Sequence, residues 1–336
     1  MTEVKKAQPL IIISGPTASG KTATSIQLAK FLKQNTIPAE VINFDSLLFY
    51  REISVGTAKP TEKEMDGVIH HLVGINSIAH DLNAADYIIK AQEIIHSLHQ
   101  KKVVPILVGG SAFYLRALMK GMYQEQLDEN TEDMSEEKKI AIKKKWKEIV
   151  EKDGIHPVIE YLKQHDPEAL GLFHANDHYR LTRAAEHFEV TAKKISDQKK
   201  HFDTLSPYDF TENQHHYDFI HFYLDLDKTK HWEIILKRTK QMLNDGLIKE
   251  IQQLLLLGFD PSLKPLQSIG YKETQQFLNN EIKTEEELVE RIAISTRQLA
   301  KSQRTFFKKI TPKILLNPLT DHEKIKQLAL TFLTEK

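Results

Sequence analysis

Cysteine is missing from all 336 residues, and its absence excludes disulfides, cysteine-ligated zinc and thiol catalysis. It says little about compartment, because a chain without cysteine fits any redox environment. Net charge is missing too: 46 basic residues balance 46 acidic ones. No global field announces a nucleic-acid partner, so any RNA-binding surface has to be local. No apolar run approaches the roughly 18 residues that a membrane-spanning helix needs. The segment from Met1 to Pro9 is short and polar, with Lys5 and Lys6, and lacks the apolar stretch of a signal peptide. The expectation is a cytoplasmic protein with no membrane association, a monomer by default. Apolar residues make up 40% and charged residues 27%, which suits a globular chain long enough for one full core plus a large insertion.

What is present begins with alternation. Leu10 to Ser14 is a short β-branched run that stops at a glycine-rich turn, and Thr22 to Gln34 then shows helical apolar spacing through Ile26, Leu28, Ala29 and Leu32. Glu40 to Phe44 reads as a second strand ending at Asp45, Ala84 to Gln100 as a helix, and Val103 to Val108 as a third strand ending at Gly109 and Gly110. Strand and helix in alternation imply a parallel sheet with helices on both faces and functional residues at the carboxyl ends of the strands. Strand signals disappear from about Asp128 to His201. Charged amphipathic helices are expected there at Lys138 to Lys152, Pro157 to Gln164 and Tyr179 to Lys200. The acidic stretch Glu125 to Glu137 suits a hinge or a solvated loop. A strand follows at Asp218 to Leu226, then helices at His231 to Leu257 and Thr284 to Lys309, and a last strand at Lys313 to Leu316.

Gly15, Pro16, Thr17, Ala18, Ser19, Gly20, Lys21 and Thr22 match the phosphate-loop pattern G-x-x-x-x-G-K-[ST] in full, between a strand and a helix. The spacing has a physical basis. Glycines let backbone amides turn inward around phosphate oxygens, the helix N-terminus adds partial positive charge, Lys21 reaches the outer phosphate and the Thr22 hydroxyl suits Mg²⁺. The expected fold is therefore α/β, a P-loop NTPase-like parallel sheet flanked by helices, with an all-helical insertion. The loop alone does not say which diphosphate it holds.

Seven further segments narrow that choice. Asp45 and Ser46 with Tyr50, Val55 to Pro60, His70 to Leu72, Leu107 to Ser111 with Tyr114, Asn176 and Asp177 with Arg180 to Arg183, Ile269 to Glu273, and Thr296 to Lys301 with Gln303 follow the loop in order. Together with it they resemble the ordered motif series of the tRNA dimethylallyltransferases over nearly the whole chain. That resemblance implies a loop holding the diphosphate of dimethylallyl diphosphate in place of a nucleotide, and a flipped adenosine beside the tRNA anticodon, at position 37, as acceptor through its N6 amine. It implies residues 1–127 and 202–336 as the catalytic core and 128–201 as a helical insertion contacting tRNA.

Prenyl transfer to an exocyclic amine needs a base, a stabilised diphosphate leaving group and a channel that excludes water. Asp45 is the expected base, with a helix N-cap or a place beside Mg²⁺ as the alternative. Lys21, Mg²⁺ at Thr22 and Arg238 would neutralise the diphosphate, although Arg238 also suits a surface helix. Ser111 stands where the family usually has threonine. Leu48, Ser302 and Phe306 replace a usual glutamine, basic residue and tryptophan. Adjacent His70 and His71 point to opposite sides and do not make a metal pair.

For the RNA, Arg297, Lys301, Arg304, Lys308 and Lys309 fall on one helical stripe suited to a phosphate backbone or to plain solvation. Gln298 and Gln303 belong to the same segment. Tyr179, Arg180, Leu181, Thr182 and Arg183 are similar candidates, and Lys138, Lys139, Lys143, Lys144, Lys145 and Lys147 form a second basic patch or a set of helical ion pairs. Asp45, Ser46, Leu47 and Leu48, with Ser111 and with Gln267, Ser268 and Gly270, are the candidates for reading the flipped base, by its Watson–Crick edge and by stacking. The competing readings are a P-loop kinase of a small molecule or nucleoside and a nucleotide-gated RNA-binding protein without catalysis. The long, lysine-rich insertion argues against a kinase lid, and a pure binder does not require an acid at position 45.

Overall fold

Leu10, Ile11, Ile12 and Ile13 are all fully buried, and a continuous apolar run of this kind suits a strand covered on both faces. The strand is β1 (Pro9–Ser14), followed by α1 (Lys21–Gln34), β2 (Ala39–Asn43), α2 (Glu62–Met65), β3 (His70–His71), α3 (Ala84–Gln100), β4 (Val104–Gly109) and α4 (Ala112–Lys120). Next come α5 (Glu136–Asp153), α6 (His156–His165), α7 (Ala169–Leu172), α8 (His178–Thr191) and α9 (Ile195–Thr204). The chain ends with β5 (Asp218–Leu224), α10 (Lys228–Asn244), α11 (Leu247–Leu256), α12 (Tyr271–Leu278), α13 (Glu285–Phe307), β6 (Ile314–Leu316) and α14 (His322–Thr334). The computed structural model describes residues 8–80, 82–122 and 135–335. Most of the acidic stretch from Glu125 to Glu137 and the N-terminal residues up to Ala7 lie outside them.

The six strands form one parallel sheet in the order β3-β2-β4-β1-β5-β6. This is the α/β architecture expected from the alternation. Ser14 pairs in register with Gly109 on one side and Tyr223 on the other, so the turns after β1, β4 and β5 open at the same edge. On one face Ile11 and Ile13 pack with Leu28 and Leu32 of α1 and with Ile325 and Ala329 of α14. Among the described residues no helix is long and apolar enough to cross a membrane.

The chain divides into two compact units, residues 1–119 with 208–336 and residues 120–207. The second extends beyond the 128–201 insertion on both sides. Its core joins Trp146, Val158, Leu162, Leu181, Ala184, Ala185 and Ile195. Fully buried Asp166 accepts from the backbone and hydroxyl of Ser196, at 3.1 and 2.6 Å.

Three expectations need correction. The helix expected over Tyr179 to Lys200 is two helices, broken where Ala192 takes φ 54°; the Thr191 hydroxyl accepts from the Lys193 amide at 3.2 Å and holds the turn. The helix expected over His231 to Leu257 is also two, parted at Gly246 with φ 99°, a conformation that glycine adopts without a Cβ clash. Strand β5 stops before Leu226, because Asp225 and Asp227 turn the chain into α10: the Asp227 carboxylate accepts from the amides of Thr229 and Lys230, at 2.9 and 3.2 Å. Helix α4 and helix α14, which follows the last strand, were not anticipated.

Candidate active site

The phosphate loop starts where β1 meets its neighbours. A Cβ on Gly15 would lie 2.3 Å from the Leu224 carbonyl oxygen, so only glycine passes there. Gly20, at φ 81°, opens α1, and among the described residues no side chain caps that helix. Its first amides are therefore left for an anion. The Ser19 hydroxyl is buried and has no hydrogen-bond partner among the described residues. Lys21 Nζ donates to the Pro16 carbonyl at 2.8 Å. Burial pushes the Lys21 ammonium down to about 8, helped by the charge of Arg238 and opposed by Asp45.

Asp45 lies just past β2, and Asn43 shapes its turn. The Asn43 side-chain oxygen accepts from the Asp45 amide at 2.9 Å, and its nitrogen donates to the carbonyls of Asp45 and Leu72 at 2.9 and 3.0 Å. Asp45 Oδ1 accepts from Leu47 N at 3.3 Å and caps the 3-10 turn Ser46–Phe49. The cap and the charge coexist: the carboxylate also acts electrostatically on both Lys21 and Arg238. Arg238, on α10, has its guanidinium pushed below its ordinary value by burial, with Asp45 opposing. Sequence reasoning left Arg238 open between surface and site; the structure couples it to Lys21 and Asp45.

Arg238 also donates to the Thr57 carbonyl at 3.4 Å. That carbonyl sits in a loop fixed by Glu250 of α11, which accepts from the amides of Ser54, Val55 and Gly56 at 2.7, 2.9 and 3.3 Å. The Tyr271 hydroxyl donates to Glu250 at 2.6 Å and accepts from Gly56 N at 3.1 Å. Gly56 is needed because a Cβ there would come 2.4 Å from the Tyr271 ring. The motif Val55 to Pro60 thus positions a cation, and the motif Ile269 to Glu273 supplies the tyrosine beneath it.

Helix α13 reaches the loop directly. The Gln303 carbonyl oxygen accepts from Thr17 N at 2.7 Å, and its amide nitrogen donates to Gly110 O at 3.0 Å. Arg304 pairs with Asp225 at 2.7 Å and donates to His231 Nδ1, also at 2.7 Å. His231 Nε2 then meets the Thr17 carbonyl at 2.8 Å. Arginine is only a donor, so His231 Nδ1 accepts and its Nε2 carries the proton. Ser111, half-buried, stands between β4 and α4, and its carbonyl accepts the Leu115 amide at 3.1 Å.

Several residues read as RNA contacts also make contacts within the protein. Gln303 and Arg304 sit near the C-terminal end of α13, where their side chains reach Thr17 and Gly110 and, for Arg304, Asp225 and His231. Leu181 is a buried core residue of the second unit, on the apolar side of α8. Ser268 Oγ and Gln267 Nε2 donate to the carbonyls of Pro265 and Pro261, at 2.6 and 2.8 Å. Gly270 starts α12 at φ 93°, its amide held by Glu273 at 2.8 Å. Thr182 Oγ1 bonds back to His178 O at 2.8 Å. Leu47 and Leu48 are half-buried with Ser46 in the turn after Asp45.

Other candidates do face solvent. Tyr179 and Arg180 are exposed, Arg180 paired with Asp177 and Arg183 with Glu186, both at 2.5 Å. Arg297, Gln298 and Lys301 are exposed on α13. The Arg297 guanidinium lies 4.8 Å over the Trp232 ring. Gln298 and Ser302 line a groove of about 410 Å³ shared with Gln267, Ile269 and Lys272, which continues past Lys301, Phe306 and Lys309 as a second groove of about 380 Å³. Of the α5 lysines, Lys144, Lys145 and Lys147 pair with Glu148, Glu189 and Glu151. His71 Nε2 meets Glu40 at 2.6 Å and His70 Nδ1 the Val68 carbonyl at 2.9 Å.

Glu250, His231 and Asp225 were not singled out from sequence. Glu250 left a signal: it interrupts the buried stripe of Leu247, Ile251 and Leu254, and an acid on an apolar face needs donors. His231 and Asp225 left none, since their partners come from distant segments.

Comparison with known proteins identifies the family. A family model described as IPP transferase matches residues 48–310. The chain is 37% identical over 302 residues to a tRNA dimethylallyltransferase of Lachnoclostridium phytofermentans, covering 90% of this chain and 89% of that protein. It resembles the crystal structure of a tRNA isopentenylpyrophosphate transferase of Staphylococcus epidermidis with a TM-score of 0.65 and 31% identity, covering 98% and 99% of the two chains. A Bacillus halodurans tRNA isopentenylpyrophosphate transferase gives 0.66 and 27%, covering 98% of each.

Proposed function

The chain belongs to the IPP transferase family, and from that premise we propose that it moves a dimethylallyl group from dimethylallyl diphosphate to the N6 amine of adenosine 37, the nucleotide 3′ to the anticodon of tRNA. The observation that carries this reading is the grouping of Asp45, Lys21 and Arg238 beside an uncapped helix N-terminus. A carboxylate and two cations flanking one anion site suit a reaction that releases diphosphate and a proton together.

In the proposed step the N6 nitrogen attacks the allylic carbon. A new C–N bond forms as the C–O bond to diphosphate breaks, and the amine proton passes to Asp45. The amides at the start of α1, Lys21 and Arg238 hold the leaving diphosphate. Mg²⁺ fits the donors present, since the Thr22 hydroxyl sits at the helix start and the Ser19 hydroxyl is buried with no partner among the described residues. Thr22 would hold the ion against the diphosphate oxygens, where it would supply positive charge as the leaving group's charge grows. Ser111 lines the approach from the β4 side. Arg297, Gln298 and Lys301, with the groove beside them, would carry RNA, as would Tyr179, Arg180 and Arg183 on the second unit.

Isotope-labelled dimethylallyl diphosphate incubated with Mg²⁺ and unmodified tRNA tests the reading. Label entering the tRNA is the expected result; a donor left intact would overturn it.

A further inference from the structure

Thr17 is turned away from the anion site by two helices at once. Its N–H points to the Gln303 side-chain oxygen at 2.7 Å and its carbonyl to His231 Nε2 at 2.8 Å. A phosphate loop holds its ligand with inward amides, and a loop in solution has many ways to turn a peptide plane. Committing both backbone polar groups of Thr17 outward restricts the orientation of the peptides after it.

The same Gln303 amide reaches Gly110 O at 3.0 Å. It therefore joins the loop after β1 to the loop after β4, the two turns that carry Lys21 and Ser111. A Cβ at Gly110 would lie 2.6 Å from Gln303 Nε2, so a side chain there would displace that amide. The glycine is explained by the amide that passes over it.

We propose that Gln303 is a positioning residue for the diphosphate site, fixing the phosphate loop through Thr17 and setting its distance from Ser111, and that it makes no contact with RNA. His231 completes the brace from the other side, its proton fixed on Nε2 by Arg304 and Asp225. Helix α13 then has two jobs on two sides: exposed Arg297, Gln298 and Lys301 outward, and Gln303 inward against the loop. The inference rests on the reading of Gly15 to Thr22 as a diphosphate site.

Two readouts separate the inference from that reading. Hydrogen exchange over residues 15–22 reports the brace without any ligand, and calorimetric titration with inorganic diphosphate and Mg²⁺ reports the site. In Gln303→Ala we expect faster exchange at Thr17 and a diphosphate Kd raised about tenfold, the equivalent of one hydrogen bond of about 1.4 kcal/mol, with tRNA affinity unchanged. Gly110→Ala keeps Gln303 but displaces its amide, so it should give the same pattern. The double variant should be no worse than either single one, because the two changes remove one interaction. Unchanged exchange with unchanged diphosphate affinity overturns the inference. Faster exchange with normal diphosphate affinity reduces the bond to a structural one and overturns the positioning role, as does a loss of tRNA binding in Gln303→Ala. If the unaltered enzyme fails to bind diphosphate while exchange still responds, the diphosphate reading fails and the brace stands.

Discussion

The Tyr271 hydroxyl donates to the Glu250 carboxylate across 2.6 Å, and the pair holds a loop neither residue belongs to. Burial, reinforced by the Glu250 charge, pushes the Tyr271 phenol up, so it remains protonated and a donor. Tyr271→Phe keeps the ring under Gly56 and removes the donor. We expect a loss of about 1.5–3 kcal/mol, as for a hydrogen bond to a charged group, measured by denaturant unfolding. Because Thr57 O no longer steadies Arg238, KM for dimethylallyl diphosphate should rise as well. Full stability with an unchanged KM would contradict the link.

Asp45 has two duties with separate signatures. Asp45→Asn retains an acceptor for Leu47 N and so keeps the cap, but it is no longer a base. Turnover should fall by roughly 10²- to 10⁴-fold while tRNA binding persists. A near-normal rate at saturating substrate would remove Asp45 from the chemistry.

Lys21 gives a pH dependence. With its ammonium pushed down to about 8, the free enzyme carries that charge below this value and loses it above. A bound diphosphate favours the charged form, so binding takes up a proton at higher pH. Affinity for dimethylallyl diphosphate should therefore be full below about 8 and fall as pH rises past it. Lys21→Met should bind weakly with no such fall; an identical pH profile in both proteins would contradict the assignment.

Two stretches of α13 predict two phenotypes. Arg297→Ala with Lys301→Ala should weaken tRNA binding and flatten its salt dependence by about one unit of slope per lost phosphate contact. Arg304→Ala breaks the pair with Asp225 and frees His231, so its first effect should be on diphosphate affinity. Filter binding across a salt series separates them. Equal salt slopes in the double variant and the unaltered enzyme would remove the outward face from the RNA surface.

Much of this was legible in order along the chain. Alternating runs such as Leu10 to Ser14 and the helical spacing after Lys21 carry their own structure, and the phosphate loop carries its own chemistry. Breaks were harder to read, because apolar periodicity continues through Gly246 and Ala192 while the backbone turns left-handed there. The largest gap concerns partners distant in sequence. A basic stripe counts Arg304 with Arg297, since spacing along a helix says which residues share a side and not what stands beside each turn of it. Only the register of β1 with β4 and β5 brings Thr17, Gly110, Asp225 and His231 to the same turn of α13.

The central claim is that a phosphate loop of this kind serves a prenyl donor, and the mass of the modified nucleoside tests it most directly. Purified protein would be incubated with Mg²⁺, unmodified tRNA bearing adjacent adenosines in its anticodon loop, and either dimethylallyl diphosphate or ATP, and the digested nucleosides weighed. The account predicts an adenosine heavier by one dimethylallyl group with the first donor alone, located 3′ to the anticodon. Unmodified RNA with ATP consumed would contradict it and assign the loop to a kinase.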